Sequence, residues 1–120
     1  MHIRVLLVHH HPIVRQGLRS ILEREPDFDV IGEVASGMEA EKLVRFALPD
    51  VVIVDLQMAA PSGLETAKAI RAASPQVRIV FVGLEIAKEH VEEGTKAGGC
   101  GFVAYERAQT DLVRMIRLEL

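Results

Sequence analysis

The chain holds one cysteine, Cys100, in 120 residues, so no internal disulfide framework can form. It has no run of about 18 apolar residues and no apolar stretch of signal-peptide type near Met1, which together point to a reducing cytoplasm and away from a membrane. A basic excess is missing as well. The formal net charge is −3, and Lys and Arg are spread along the chain rather than clustered, so this segment is a poor candidate for gripping nucleic acid itself. No linker, internal repeat or low-complexity run divides it.

What is present is apolar material. A hydrophobic content of 49% over this length furnishes one two-sided core, and a second domain does not fit. Short apolar runs rich in β-branched residues recur at Ile3 to Val8, Val51 to Val54 and Ile79 to Val82, the pattern of parallel strands buried on both faces. The run Phe28 to Val34 is interrupted by Asp29, Gly32 and Glu33 and reads as an edge strand, and Cys100 to Ala104 reads as a fifth.

Helical periodicity fills the gaps. Ile13, Val14, Gly17, Leu18, Ile21 and Leu22 share one face, with Pro12 suited to a first turn. Ser36 to Glu39 and Ser62 to Glu65 read as capping boxes opening a second and a third helix. Ile86 to Lys96 is the poorest helix, because Gly94 in its interior costs about 1 kcal/mol and its apolar stripe is thin. Leu112, Val113, Ile116 and Leu120 mark the fifth.

Five strand–helix alternations with right-handed crossovers close into an α/β fold, a doubly wound parallel sheet for which we expect strand order 2-1-3-4-5. Its crevice lies beyond the carboxyl ends of strands 1 and 3, where the chain delivers His9, His10, His11 and Asp55. Imidazoles beside a carboxylate invite a zinc, copper or nickel reading. Successive residues of an extended segment point to opposite faces, which argues against His9 and His10 chelating one ion unless the chain turns at once. No nucleophile or oxyanion hole accompanies them, so a signalling module is expected rather than an enzyme. Cys100 reads as a small core hydrophobe, and the Gly98, Gly99 and Gly101 run as a flexible entry to strand 5.

The segments VLLVHHHPIVRQGL, PDVVIVDLQM, SGLE and KAGGCGF, spread over the whole chain, resemble the receiver domains of bacterial response regulators, above all those of NarL and LuxR type. The resemblance implies a flavodoxin-like (βα)5 fold over residues 1–120 in which the aspartate ending strand 3, Asp55 here, accepts a phosphoryl group from a histidine kinase. It also implies an output domain of helix-turn-helix type that contacts DNA and lies outside this chain, which stops at Leu120 within an apparent helix.

Departures from the family pattern fall on its chemistry. His9 and His10 stand where two acidic residues usually join the acceptor in holding Mg²⁺, Gly83 stands for the Thr or Ser ending strand 4, and Tyr105 for the Lys after strand 5. Ala59 replaces a Pro, while Gly63 is kept and Phe102 holds the aromatic switch position. Mg²⁺ requires hard oxygen ligands, so with one carboxylate left its binding is expected to be very weak and no cofactor is assigned. If the ion and the Lys supply about 4 kcal/mol to the transition state, their loss slows transfer about a thousandfold.

Asp55 then has two readings, an inactive acceptor paired with His10 or a strand-end residue solvating the crevice. Gly83 is either a tight packing position or a vacancy into which Phe102 or Tyr105 turns. The expected function is regulation through protein contacts, with dimerisation through helix 4, strand 5 and helix 5. The alternatives are a receiver phosphorylated on Asp55, and a small-molecule or metal sensor in the same crevice.

Overall fold

The apolar runs become five parallel strands in the computed structural model, which describes residues 2–120. The strands are β1 (Ile3–Val8), β2 (Phe28–Val34), β3 (Val51–Asp55), β4 (Arg78–Gly83) and β5 (Gly99–Ala104), and the sheet order is β2-β1-β3-β4-β5. The helices are α1 (Pro12–Glu23), α2 (Gly37–Ala47), α3 (Gly63–Ala73), α4 (Lys88–Lys96) and α5 (Ala108–Glu119), with a 3-10 turn over Tyr105–Arg107. This is the expected flavodoxin-like doubly wound fold, with β2 on an edge as its broken pattern implied.

Alternation along the strands divides the core in two. Leu6, Val8, Val52, Val54, Ile79 and Phe81 face Ala40 and Val44 of α2 and Ala67 and Ile70 of α3. Val5, Leu7, Val51, Ile53, Val80 and Val82 face Leu18 and Leu22 of α1 and Leu112 and Ile116 of α5. Both faces of every central strand are thereby dry, which is why these runs read as continuously apolar.

The helix starts follow their caps. Ser62 and Glu65 form the full reciprocal box, Ser62 Oγ accepting from the Glu65 amide at 3.1 Å and Glu65 Oε1 accepting from the Ser62 amide at 3.0 Å. At Ser36 only half of the expected box exists. Its Oγ accepts from the Glu39 amide at 3.3 Å, and the Glu39 carboxylate takes the Ser36 hydroxyl instead of the backbone amide. Helix α4 starts at Lys88, two residues later than its apolar pattern indicated, because the His90 ring accepts from the Ala87 amide at 2.9 Å and sets the first turn there. Gly94 in its interior has a packing reason: a Cβ there would lie 2.6 Å from the Phe102 ring and 3.1 Å from Phe81. Cys100 lies half-buried on the edge strand β5 rather than in the core, and its thiol donates to the Ile79 carbonyl at 3.3 Å.

Candidate functional site

Register builds the site. Val8 pairs with Val54 across β1 and β3, so the next residue of each strand, His9 and Asp55, meet at the sheet's carboxyl edge, while Asp55 pairs with Val82 on its other side. Helix α3 begins directly behind β3, and a Cβ on Gly63 would stand 2.4 Å from the Asp55 carbonyl oxygen, so only glycine permits that approach.

Asp55 is buried, with 2% of its surface exposed. Its Oδ1 accepts from the Gln57 amide at 3.0 Å and from the Tyr105 hydroxyl at 3.1 Å. Its Oδ2 faces His10 Nδ1 at 3.3 Å and His9 Nε2 at 3.6 Å. Each oxygen is met by groups of the chain itself, as a buried carboxylate requires.

His9 is buried too, and its partners assign its tautomer. Nδ1 accepts from the His11 amide at 2.9 Å, which leaves no room for a proton there. The ring proton therefore sits on Nε2, which donates to the Tyr105 hydroxyl oxygen at 2.5 Å. Tyr105 in turn donates to Asp55, giving a directed chain from His9 through Tyr105 to the carboxylate. Arg15 fixes the base of this arrangement, donating to the His9 carbonyl at 2.9 Å and pairing with Glu33 at 3.2 Å.

The electrostatics agree with a neutral ring. Burial lowers the His9 pKa below 6.5; the Asp55 charge opposes this, and His10, His11 and Arg15 reinforce it. Burial, aided by the charge and hydrogen bond of Asp55, raises the Tyr105 phenol far above its ordinary range, so it is a permanent donor. The Cys100 thiol is likewise raised by burial and stays protonated.

Comparison with known proteins decides what this arrangement belongs to. The family model described as response regulator receiver domain matches residues 5–117. The chain belongs to the response regulator receiver family. It is 36% identical over 115 residues to an uncharacterized transcriptional regulatory protein, YxjL, of Bacillus subtilis, covering 96% of this chain and 53% of that one. It is 30% identical over 112 residues to the nitrate/nitrite response regulator protein NarL of Escherichia coli, covering 93% and 52%. Among solved structures, a LuxR-family two-component response regulator from Aurantimonas sp. superposes with TM-score 0.94 at 33% identity, covering 99% of this chain and 85% of that one. The receiver is thus of NarL and LuxR type, and the chain spans about half the length of the curated relatives it matches.

Two expectations about the site, the divergence of His9 and His10 and the turning of Phe102 or Tyr105 into the space at Gly83, are corrected. His9 and His10 do not diverge to opposite faces: the chain turns immediately after β1, tied by the His11 amide to His9 Nδ1, and the two rings stack at 5.4 Å with 10° between planes, both beside Asp55 Oδ2. The space at Gly83 is taken neither by Phe102 nor by Tyr105. Gln57 fills it, its Oε1 lying 2.6 Å from where a Cβ at position 83 would be. Phe102 is half-buried below Gly94, stacked on Phe81 at 5.5 Å, and Tyr105 reaches Asp55 by its own route.

The donor set does not fit Mg²⁺. The ion needs several hard oxygens, and Asp55 is the one carboxylate in the cluster that could hold a metal among the described residues. Ligand atoms of His9, His10 and Asp55 do lie within 4.8 Å of one another, but His9 would have to give up both the His11 amide and its bond to Tyr105 before Nε2 could face a cation. Sequence reasoning missed Gln57, Arg15 and the His11 amide. Only the first left a signal, an amide side chain two residues past the strand-end aspartate in a chain with glycine ending the next strand.

A depressed His9 pKa means that the unfolded chain binds this proton more readily than the folded one. Its contribution to stability is complete above pH 6.5 and is lost as pH falls through the lowered folded value. Urea unfolding at pH 7 and at pH 5 should therefore show a smaller stability loss on acidification for His9→Gln than for the parent; equal losses would contradict the assignment.

Proposed function

We propose that this receiver acts without phosphoryl transfer, as a regulatory module of a transcription factor that works through protein contacts. The observation that carries the reading is the occupation of Asp55. Its oxygens already face the Tyr105 hydroxyl, the Gln57 backbone amide and two imidazoles, and among the described residues no second carboxylate joins them to hold a metal. Phosphoryl transfer depends on electrostatic stabilisation by a metal ion and fixed cations around the moving group. A neutral His9 and a protonated Tyr105 supply none.

In this reading His9, His10, Gly83 and Tyr105 together make a degenerate phosphorylation site in which Asp55 is kept as a hydrogen-bond acceptor. Mg²⁺ binds very weakly, and the domain is not an enzyme. The rival favoured by a specific observation is a phosphotransfer-competent receiver, because Asp55 keeps the acceptor position and the half-exposed His10 ring stands 3.3 Å from Oδ2. A metabolite sensor is less well supported: the cleft beside His10, lined also by Ser36, Gly37, Met58 and Pro61, measures about 170 Å³, below the ordinary size of ligand pockets.

YxjL is named a transcriptional regulatory protein, and both it and NarL extend well beyond the matched region, so a helix-turn-helix DNA-binding output domain completes the proposal. Pairing of two copies uses the face of α4, β5 and α5. On that face α4 carries exposed Glu89, Glu92 and Glu93, and α5 with its leading turn carries exposed Arg107 and Arg114, which flank Asp111. Opposite charge on the two flanks suits a two-fold arrangement.

Intact mass spectrometry after acetyl phosphate, with Mg²⁺, Mn²⁺ or Zn²⁺ in turn, should show no added phosphoryl group. An adduct that disappears in Asp55→Asn would establish the rival. Sedimentation equilibrium should show a dimer at low ionic strength that dissociates as salt screens the charged flanks; a monomer throughout would remove the proposed interface.

A further inference from the structure

The end of β4 raises a separate question, which is why position 83 is glycine at all. Among the described residues the only glycine with a positive φ is Gly98, so the backbone at Gly83 is open to any residue. No backbone atom crowds it either. The three nearest atoms to a Cβ built there all belong to the Gln57 side chain, at 2.6, 3.2 and 3.3 Å. That amide is not idle in this place. Its Oε1 accepts from the Leu84 amide at 3.0 Å and its Nε2 donates to the Glu85 carbonyl at 3.2 Å. Both ends of one planar group are used, each on the backbone of the segment that joins β4 to α4. Its own anchor is equally defined, because the backbone nitrogen of Gln57 donates to Asp55 Oδ1.

We infer that Gln57 and Gly83 form a coupled staple, in which the Gln57 amide takes the space that a side chain at 83 would fill and pins the β4–α4 loop to the β3–α3 loop. Gly83 is required by the staple and not by the turn of the chain. A hydroxyl at 83 could respond to a change at Asp55; the Gln57 amide instead ties the loop to backbone groups that do not change. The loop leads through the exposed Leu84 into α4, so the staple holds the start of the α4, β5 and α5 face in one arrangement. It involves neither a phosphoryl group nor a partner, and it stands or falls apart from the function proposed above.

Amide hydrogen exchange at Leu84, read by NMR in the whole domain, tests it. Gln57→Ala removes the acceptor, and losing a bond of this strength should speed Leu84 exchange about two- to tenfold. Gly83→Thr keeps Gln57 but displaces the far end of a flexible side chain, so it should fold and speed the same amide by a similar factor. Because both changes break one linkage, the double variant should exchange no faster than either single one. Unchanged Leu84 exchange in Gln57→Ala, or additive acceleration in the double variant, would overturn the inference. Slower exchange in Gly83→Thr would overturn it as well, by showing that the loop is better held without the staple.

Discussion

A carboxylate buried at the end of a parallel strand must be met by donors, and the manner in which Asp55 is met organises this end of the molecule. In water an ionised carboxyl is solvated on every side; at 2% exposure it has only what the chain brings to it. Here the chain brings the Tyr105 hydroxyl, the Gln57 amide and two imidazoles. Those four commitments fix the turn after β1, the position of the 3-10 turn after β5 and the path of the chain leaving β3. Three carboxylates in one crevice would repel and need a cation to hold them. A single carboxylate does not, so the replacements at positions 9, 10 and 105 belong together physically.

The network is also directional. His9 Nδ1 is spent on the His11 amide, so Nε2 donates to Tyr105, and Tyr105 has its proton free for Asp55. Burial keeps both His9 and Tyr105 in their neutral forms, which sustains the direction over the pH range in which the imidazole is unprotonated. Neutral donors solvate a carboxylate well but give little help to a transition state that spreads negative charge over a transferring group. That difference, between solvating an anion and stabilising a larger one, is the physical basis for reading the crevice as a structural centre.

Much of the fold was legible in the chain because its determinants are local and periodic. Strands Ile3–Val8 and Phe28–Val34 have the bounds that the apolar runs gave, and Ser62 with Glu65 opens α3 as a capping box. The alternation of strand and helix indicated a doubly wound parallel sheet, and the expected strand order 2-1-3-4-5 is the one found. What was not legible depended on side chains reaching across the molecule or back onto their own backbone. Strict alternation along β1 sends His9 and His10 apart, and it fails because the His11 amide turns back onto the His9 ring. The occupant of the space at Gly83 comes from another loop, Gln57, and Gly94 looks like a helix defect until Phe102 is seen beneath it. The Ser36 box was half right, since a glutamate three residues on can take the hydroxyl as readily as the amide.

The protonation pattern of His9 tests the account most directly, since the whole chain of donors follows from it. Long-range proton–nitrogen correlation spectra at pH 7 should report a neutral His9 ring with the proton on Nε2 and a bare Nδ1, and the Nε2 signal should move in both Tyr105→Phe and Asp55→Asn. A proton on Nδ1 alone would contradict it, and so would an imidazolium at that pH, which would make Asp55 a carboxylate paired with a cation.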